Sequence, residues 1–110
     1  MDNCVFCQIV AGKIPAEKRF EDDEFLAFDS IDKKSPVHII VIPKRHILGI
    51  NEATMDDIEI LGKLQLIISR IAAEQDIDTG FKVMLNAGHH QEVPHIHYHL
   101  LGGNQEGGDN

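Results

Sequence analysis

Three histidines at alternate positions, His95, His97 and His99, are the residues of this chain best suited to chemistry. On a β-strand, alternate side chains point to the same face and lie about 6.6 Å apart, because the rise is about 3.3 Å per residue. An imidazole can act as an acid, a base, a nucleophile or a metal ligand near neutral pH. Since the apolar residues Ile96 and Tyr98 fill the gaps, the pattern predicts a strand with one core face and one face of neighbouring imidazoles.

Three interpretations of this histidine row are open. The first is a solvated polar face without function, which the unbroken alternation and the following Gly102 and Gly103 disfavour. The second is a metal site, but His95 and His99 are separated by about 13 Å of strand, so all three imidazoles cannot reach one ion through bonds of about 2.0 Å. The third is covalent catalysis by one histidine that its neighbours orient.

The loop before the histidine row offers hydrogen-bond donors. Asn86 and Gln91 carry side-chain amides, and the segment NAGHHQEV (residues 86–93) adds backbone N–H groups. Donors of this kind suit phosphate oxygens. The alternative is a plain connection between two strands, so the loop alone does not decide the function.

Cys4 and Cys7 form a Cys-x-x-Cys pair near the N-terminus. Such a pair is half of a zinc site, and two cysteines are too few and too close for a disulfide framework. The alternative is two buried thiols that pack as small apolar groups. A redox role is less favoured, because no thioredoxin-like βαβ pattern surrounds the pair.

The remaining sequence predicts the elements that must position these residues. A short helical turn begins at Cys4 and stops before Pro15, and a long helix over Met55–Gln75 follows a capping box made by Thr54 and Asp57. The predicted strands are Lys18–Glu21, Phe25–Ser30, Val37–Pro43, Phe81–Asn86 and residues 95–101 (HIHYHLL). This order predicts an α+β fold with a mostly antiparallel sheet and the helix on one face.

The long helix carries apolar residues on more than one side. The predicted core face is formed by Ile58, Leu61, Leu64, Ile68 and Ile71. Ile60 and Ile67 lie off this stripe, and a helix that is apolar on two sides is often buried on both. We therefore expect a second copy of the chain to cover Ile60, Ile67 and a sheet edge near Phe81–Leu85.

Length and charge limit the class of protein. The 110 residues predict one domain, residues 4–103, followed by a polar, glycine-rich flexible tail at residues 104–110. A formal net charge of -8 argues against nucleic-acid and membrane partners, but not against a small phosphorylated ligand. The acidic N-terminus does not match a signal peptide and no apolar run reaches about 18 residues, so we expect a cytoplasmic protein.

Four segments together resemble the histidine triad (HIT) family. HIHYHLL matches the family's His-φ-His-φ-His-φ-φ signature, in which φ is apolar, and Gln91 and Val93 match the Gln-x-Val before it. The stretches CVFCQIVAGKIPAEKRFEDDEFLAF (residues 4–28) and SPVHIIVIPKRHI (residues 35–47) resemble the family's N-terminal segment and a characteristic strand. The similarity runs roughly from Cys4 to Gly103, and Leu101-Gly102-Gly103 resembles the family's nucleotide-binding branch.

The resemblance implies a fold and an activity. The fold is HIT-like, with a five-stranded sheet, one long and one short helix, and a two-fold dimer. The activity is cleavage of purine nucleoside phosphoramidates or related nucleotidyl phosphoesters, with an AMP- or GMP-like ligand and no cofactor for the chemistry. His97 would attack the α-phosphate and form a nucleotidyl-histidine that water cleaves. His99 would bind the phosphate and assist the leaving group, His95 would lie behind His97, and His38 would orient the His97 ring.

The resemblance also implies binding residues. The nucleotide would be bound by His97 and His99 together with Phe28, Ser30, Ile31, Asn86, Gln91, Glu92 and Val93. Ser30 stands where the family usually has an aspartate for the ribose hydroxyls, and the loop at residues 88–91 is shorter than the usual glycine-rich version. As in some bacterial members, Cys4, Cys7, His46 and His95 would hold a structural zinc ion.

Two other functions remain alternatives to this mechanism. One is a zinc-dependent hydrolase whose metal lies on the triad, which chelation would inactivate. The other is a nucleotide-binding regulatory module with little turnover, which would bind AMP without cleaving a phosphoramidate.

Overall fold

The computed structural model of this chain describes residues 3–103, so the predicted tail at 104–110 lies outside the described residues. Its helices are α1 (Val5–Val10) and α2 (Ile58–Glu74), and its strands are β1 (Lys18–Glu21), β2 (Phe25–Asp29), β3 (Val37–Pro43), β4 (Phe81–Leu85) and β5 (Tyr98–Gly102). The strands form one sheet in the order β1-β2-β3-β5-β4, and all neighbours are antiparallel. The predicted α+β class, with one long and one short helix, is confirmed.

The predicted last strand is wrong at its start, because β5 begins at Tyr98 and not at His95. The N–H of His95 donates to the carbonyl of Val93 at 2.8 Å, and the N–H of Ile96 donates to the carbonyl of Ile47 at 2.7 Å. These bonds turn the chain toward the loop after β3 before it joins the sheet. His95 and His97 therefore precede the strand, and of the three only His99 lies in it.

The long helix begins with a 3₁₀ turn (Met55–Asp57) that leads into α2. The predicted capping box is confirmed: the N–H of Thr54 donates to Oδ2 of Asp57 at 2.9 Å, and the Thr54 hydroxyl accepts from the N–H of Asp56 at 3.3 Å. None of the helices within residues 3–103 has the length and apolar content needed to cross a bilayer.

The prediction of the helix faces is partly wrong. Ile58 is 59% exposed, whereas Ile60 is buried and Ile67 packs against the same core. The buried stripe is formed by Ile60, Leu64, Ile68, Ile71 and Ala72. An apolar stripe that begins at Ile60 fits a period of 3.6 residues as well as one that begins at Ile58. The stripe that begins at Ile60 is the one that packs against the sheet. Ile60 and Ile67 are therefore core residues and not a second apolar face.

The long helix α2 covers one face of the sheet, as predicted, and the short helix α1 covers the other. The α2 side packs on alternate residues such as Ile39, Val41 and Leu100. The opposite side packs against α1 and is formed by Cys4, Phe6, Ile9, Leu26, Phe28, Ile40 and Ile42. Because side chains alternate along a strand, His38 and His99 lie on the α1 side.

Candidate active site and metal centre

The His97 ring is held by the backbone of His95. Its Nδ1 lies 2.8 Å from the carbonyl oxygen of His95, and the His97 side chain is buried. A carbonyl oxygen only accepts, so Nδ1 must carry the proton and donate. In the neutral ring, Nε2 is then the nitrogen with a free lone pair, which is the form that a nucleophile or a base requires.

The His99 ring has the opposite tautomer. The backbone N–H of Lys34 donates to Nδ1 of His38 at 3.0 Å, so the proton of a neutral His38 is on Nε2. That Nε2 lies 2.9 Å from Nδ1 of His99, which must accept the bond and therefore keeps its own proton on Nε2. His97 thus offers a lone pair and His99 offers an N–H, with ring centroids 5.1 Å apart.

This arrangement corrects the predicted role of His38. The resemblance implies that His38 orients His97, but His38 forms its hydrogen bond with His99. The reason is register: β3 and β5 are adjacent, and Ile40 lies opposite His99, so His38 is on the same face and diagonal to it. His97 precedes β5, and its ring is fixed by the turn that carries it.

Burial keeps these imidazoles neutral at physiological pH. Removal from water lowers the pKa of His95 and of His99 to about 4, and it lowers the pKa of His38 and His97 below the ordinary value. Neutral rings have one donor and one acceptor each, which is the condition for the tautomers above.

Phe6 on α1 forms a wall of the site that the sequence analysis missed. Its ring meets His97 edge to face at 5.0 Å between centroids, and it lies 6.0 Å from His95 and 5.5 Å from Phe28. A lone phenylalanine in an apolar helical turn has the pattern of an ordinary core residue. Its position between the two cysteines was the one available signal.

The predicted nucleoside-binding residues lie at the end of β2. Phe28 is buried and touches Phe6, while Ile31 is fully exposed in the following loop. The N–H of Ser30 donates to the carbonyl of His38 at 2.9 Å, which connects the loop to β3. The Ser30 hydroxyl accepts from the N–H of Asp32 at 3.2 Å.

Asp29, the neighbour of Ser30, is already engaged. Arg19 binds both of its carboxylate oxygens at 2.9 and 2.7 Å, and Lys33 lies 3.8 Å away. The hydrogen bond with Arg19 holds the pKa of Asp29 below its usual range. Asp29 is therefore engaged within the protein by Arg19 and Lys33.

The amide of Gln91 holds the loop at residues 86–93 in place. Its Nε2 donates to the carbonyls of Leu48 at 2.5 Å and Val93 at 2.8 Å, and its backbone N–H donates to the carbonyl of Gly88 at 3.0 Å. The donors of Gln91 are thus used to hold the loop in this structure, and its predicted contact with phosphate stays a prediction. Asn86 is half-buried after β4 and Glu92 is exposed. Val93 packs against the α1-side core.

Cys4, Cys7, His46 and His95 converge as the sequence predicts. Nδ1 of His95 lies 3.4 Å from Sγ of Cys4 and 3.5 Å from Sγ of Cys7, and Nδ1 of His46 lies 3.1 Å from Sγ of Cys7. All four atoms lie within 4.8 Å of one another. Tetrahedral zinc, with bonds of about 2.3 Å to sulfur and about 2.0–2.1 Å to nitrogen, places its ligands about 3.3–3.8 Å apart.

The His95 tautomer also fits a metal ligand. Its Nε2 lies 2.8 Å from the carbonyl oxygen of Pro43 and must donate to it, which leaves the Nδ1 lone pair directed at the thiols. Metal-bound histidines are typically held by such a bond from the far nitrogen. Burial raises the pKa of the Cys7 thiol to about 11, and a bound cation would reverse that shift by stabilising the thiolate. The residues present therefore fit a zinc ion.

The cluster of Cys4, Cys7, His46 and His95 has a route to solvent. His46 is half-buried and lines a surface cleft together with Arg45, Ile47, Leu48, Glu52 and Asp57. Cys4 and His95 form the buried half of the cluster, and Cys7 and His46 form the accessible half. An ion or a chelator would therefore approach from the His46 side.

Comparison with known proteins identifies relatives of this chain. The family model described as "Scavenger mRNA decapping enzyme C-term binding" matches residues 3–109. The "14 kDa zinc-binding protein" of Brassica juncea is 39% identical over 105 residues, which cover 92% of this chain and 93% of that protein.

Solved structures agree with this result. The HIT family hydrolase from Legionella pneumophila Philadelphia 1 superposes with a TM-score of 0.90 at 42% identity, covering 94% of this chain and 95% of its own. The histidine triad nucleotide-binding protein from Candida albicans gives a TM-score of 0.80 at 28% identity, with 89% and 73% covered.

Proposed function

Since this chain belongs to the histidine triad (HIT) family, we propose that it is a nucleotide-binding hydrolase or transferase of the bacterial nucleotide-binding type that acts through His97. Its substrates are purine nucleoside phosphoramidates or related nucleotidyl phosphoesters. The observation that carries the proposal is the pair of opposite tautomers: a free Nε2 lone pair on His97 beside an Nε2–H on His99. A nucleophile and a donor for the phosphate or leaving group are the two groups that such a reaction needs.

The proposed reaction has two displacements. In the first, Nε2 of His97 attacks the α-phosphorus, the bond from phosphorus to the leaving nitrogen breaks, and His99 passes a proton to that nitrogen. In the second, water attacks the nucleotidyl-histidine, the bond between phosphorus and Nε2 breaks, and the water proton returns to the His99–His38 pair. The carbonyl of His95 accepts from Nδ1 of His97 throughout, which stabilises the positive charge that the ring gains.

The nucleotide would lie across the α1 face of the site. Phe28 and the exposed Ile31 would contact the base, and Ser30 would bind a ribose hydroxyl. The side chain of Asn86 and the backbone N–H groups of Glu92 and Val93 are assigned to the phosphate. Since an ionised Glu92 carboxylate only accepts hydrogen bonds, its side chain is not a phosphate donor.

Early quenching tests the nucleophile. The protein is incubated with an adenosine phosphoramidate, quenched within the first turnover and examined by mass spectrometry for an AMP adduct on residue 97. We expect the adduct in wild type and in His89→Ala, which removes an exposed loop histidine, but not in His97→Ala. An adduct that survives His97→Ala would remove the assignment. Binding of AMP with no cleavage in wild type would favour a regulatory module instead.

We further propose that zinc is structural and lies on Cys4, Cys7, His46 and His95. A hydrolytic metal on the triad is less well supported, because only His97 has a free lone pair there: Nε2 of His99 carries its proton, and both nitrogens of His95 are engaged with Pro43 and the thiols. Elemental analysis should find about one zinc per chain in wild type and much less in Cys4→Ser. Chelation should lower the melting temperature, whereas complete loss of turnover with the fold intact would favour the metal-on-triad mechanism.

We also propose a cytoplasmic two-fold dimer formed through the β4 edge. Phe81, Val83 and Met84 on this edge strand are 37–44% exposed, and Leu66 on α2 is 73% exposed. Exposed apolar edges are usually paired or protected. Light scattering should give twice the chain mass for wild type and the chain mass for Val83→Asp. A monomeric wild type would contradict the proposal.

A further inference from the structure

His95 belongs to both clusters at once. Its imidazole faces Cys4 and Cys7 through Nδ1, and its backbone carbonyl accepts the hydrogen bond that fixes the tautomer of His97. Its Nε2 is bonded to the carbonyl of Pro43. The His95 side chain is fully buried among close-packed neighbours, so it cannot move without moving them as well. A rotation of His95 would move the acceptor on which the His97 ring depends.

A second connection between the Cys/His cluster and His97 runs through α1. Cys4 caps this helix, and its Sγ accepts the N–H of Cys7 at 3.4 Å. Phe6 lies between the two cysteines and packs edge to face on His97, with the ring centroids 5.0 Å apart. A helix of six residues is too short to be stable alone, so the position of Phe6 depends on what holds Cys4 and Cys7.

We propose that the Cys4/Cys7/His46/His95 cluster positions the nucleophile. With a metal bound, the cluster fixes the His95 carbonyl and the first turn of α1, and these hold the His97 ring with its proton on Nδ1. His46 and Phe6 are then positioning residues, because they act on the reaction through the rings of His95 and His97. This inference rests on the proposed function only for its kinetic test.

The decisive variant is His46→Ala. His46 packs edge to face on the His95 ring at 4.9 Å and completes the metal cluster, while the hydrogen bonds of His97 do not involve it. Long-range proton–nitrogen NMR reports which ring nitrogen carries the proton. In zinc-loaded wild type we expect one His97 signal set with Nδ1 protonated, and in His46→Ala a mixture of tautomers or exchange broadening.

Kinetics give a second measurement. We expect AMP-adduct formation in His46→Ala to slow by about 10-fold or more, the range found when residues that support a metal ligand are removed. KM should change little, because the binding residues are untouched. His46→Cys supplies another zinc ligand and should restore both the NMR signature and the rate. Phe6→Leu should slow the adduct step with zinc still bound.

The control is Leu64→Ala. Leu64 is buried on the opposite face of the sheet, so this change lowers stability without touching α1 or the cluster. We expect its His97 signals and adduct rate to match wild type at temperatures where it is folded. The same tautomer change in Leu64→Ala would show a general effect of destabilisation and would overturn the inference.

Three further results would also overturn it: a folded, zinc-free protein with unchanged His97 signals, a chain that binds no zinc, or failure of His46→Cys to restore the signature. A wild type that forms no AMP adduct would instead refute the proposed function, because the NMR measurement does not depend on turnover.

Discussion

The two faces of the sheet follow the same alternating pattern but are built for different purposes. The α2 face is a continuous apolar layer that includes Ile39, Val41 and Leu64. The α1 face has an apolar part around Phe28, but His38 and His99 replace aliphatic residues in it. The comparison shows that the α2 face supplies stability, whereas the α1 face can bury polar rings because each ring has a hydrogen-bond partner.

The largest expected effect is on stability and belongs to the α2 face. Leu64→Ala should lower the free energy of unfolding by about 2–5 kcal/mol, because it leaves a cavity between α2 and the sheet. Leu48→Ala, at a side chain that is 49% exposed, is the matched control and should cost far less. Urea unfolding followed by circular dichroism measures both. Equal losses would mean that the α2 face is not the main source of stability.

The next effect is on catalysis and belongs to the α1 face. His38→Phe keeps a ring of similar size but removes the donor to Nδ1 of His99, so His99 can adopt the wrong tautomer. We expect kcat to fall by about 10–100-fold, the range for groups that orient a functional histidine. The loss of stability should be smaller than for Leu64→Ala. An unchanged kcat would show that the His38–His99 bond is irrelevant to the reaction.

These two predictions separate what the sequence could and could not reveal. The hairpin turn at Asp22-Asp23 predicted β1 to the residue, and β-branched residues predicted β3. The Cys4–Cys7 pair together with the resemblance predicted the cluster of Cys4, Cys7, His46 and His95. Hydrogen bonds made by backbone atoms of distant segments carry no local signal. For that reason the sequence missed the turn that removes His95 and His97 from β5, the Lys34 N–H on His38, and the use of the Gln91 amide.

A third effect is a loss of folding stability that is absent at neutral pH and grows as the pH falls. The pKa values of His38 and His99 are lower in the folded protein than in the unfolded chain, because burial disfavours their charged forms. The stability from these neutral rings is complete above the unfolded value of about 6.5. It is lost as the pH falls from there toward the folded value, about 4 for His99, because the unfolded state then binds more protons.

The acid effect is measured by unfolding wild type and His38→Phe at a series of pH values from 7 to 4. The variant has one titrating ring fewer on the α1 face, so its stability should fall less steeply. Leu64→Ala changes no titrating group and should keep the wild-type slope. Identical slopes in wild type and His38→Phe would contradict the assigned pKa direction.

The smallest expected effect is a gain in binding at Ser30. Ser30→Asp adds a carboxylate that can accept from two ribose hydroxyls, and Asp29 cannot serve this purpose because Arg19 holds both of its oxygens. Repulsion from Asp29 and Asp32 offsets part of the gain, so we expect AMP to bind only about 3–10-fold more tightly, a hydrogen bond's net worth of about 1 kcal/mol. Calorimetry with AMP and with 2′,3′-dideoxy-AMP isolates the ribose contribution. If both ligands gain equally, the carboxylate acts through charge and not through the hydroxyls. If AMP gains nothing, the ribose does not lie at the end of β2, and the polar part of the α1 face ends at the histidines.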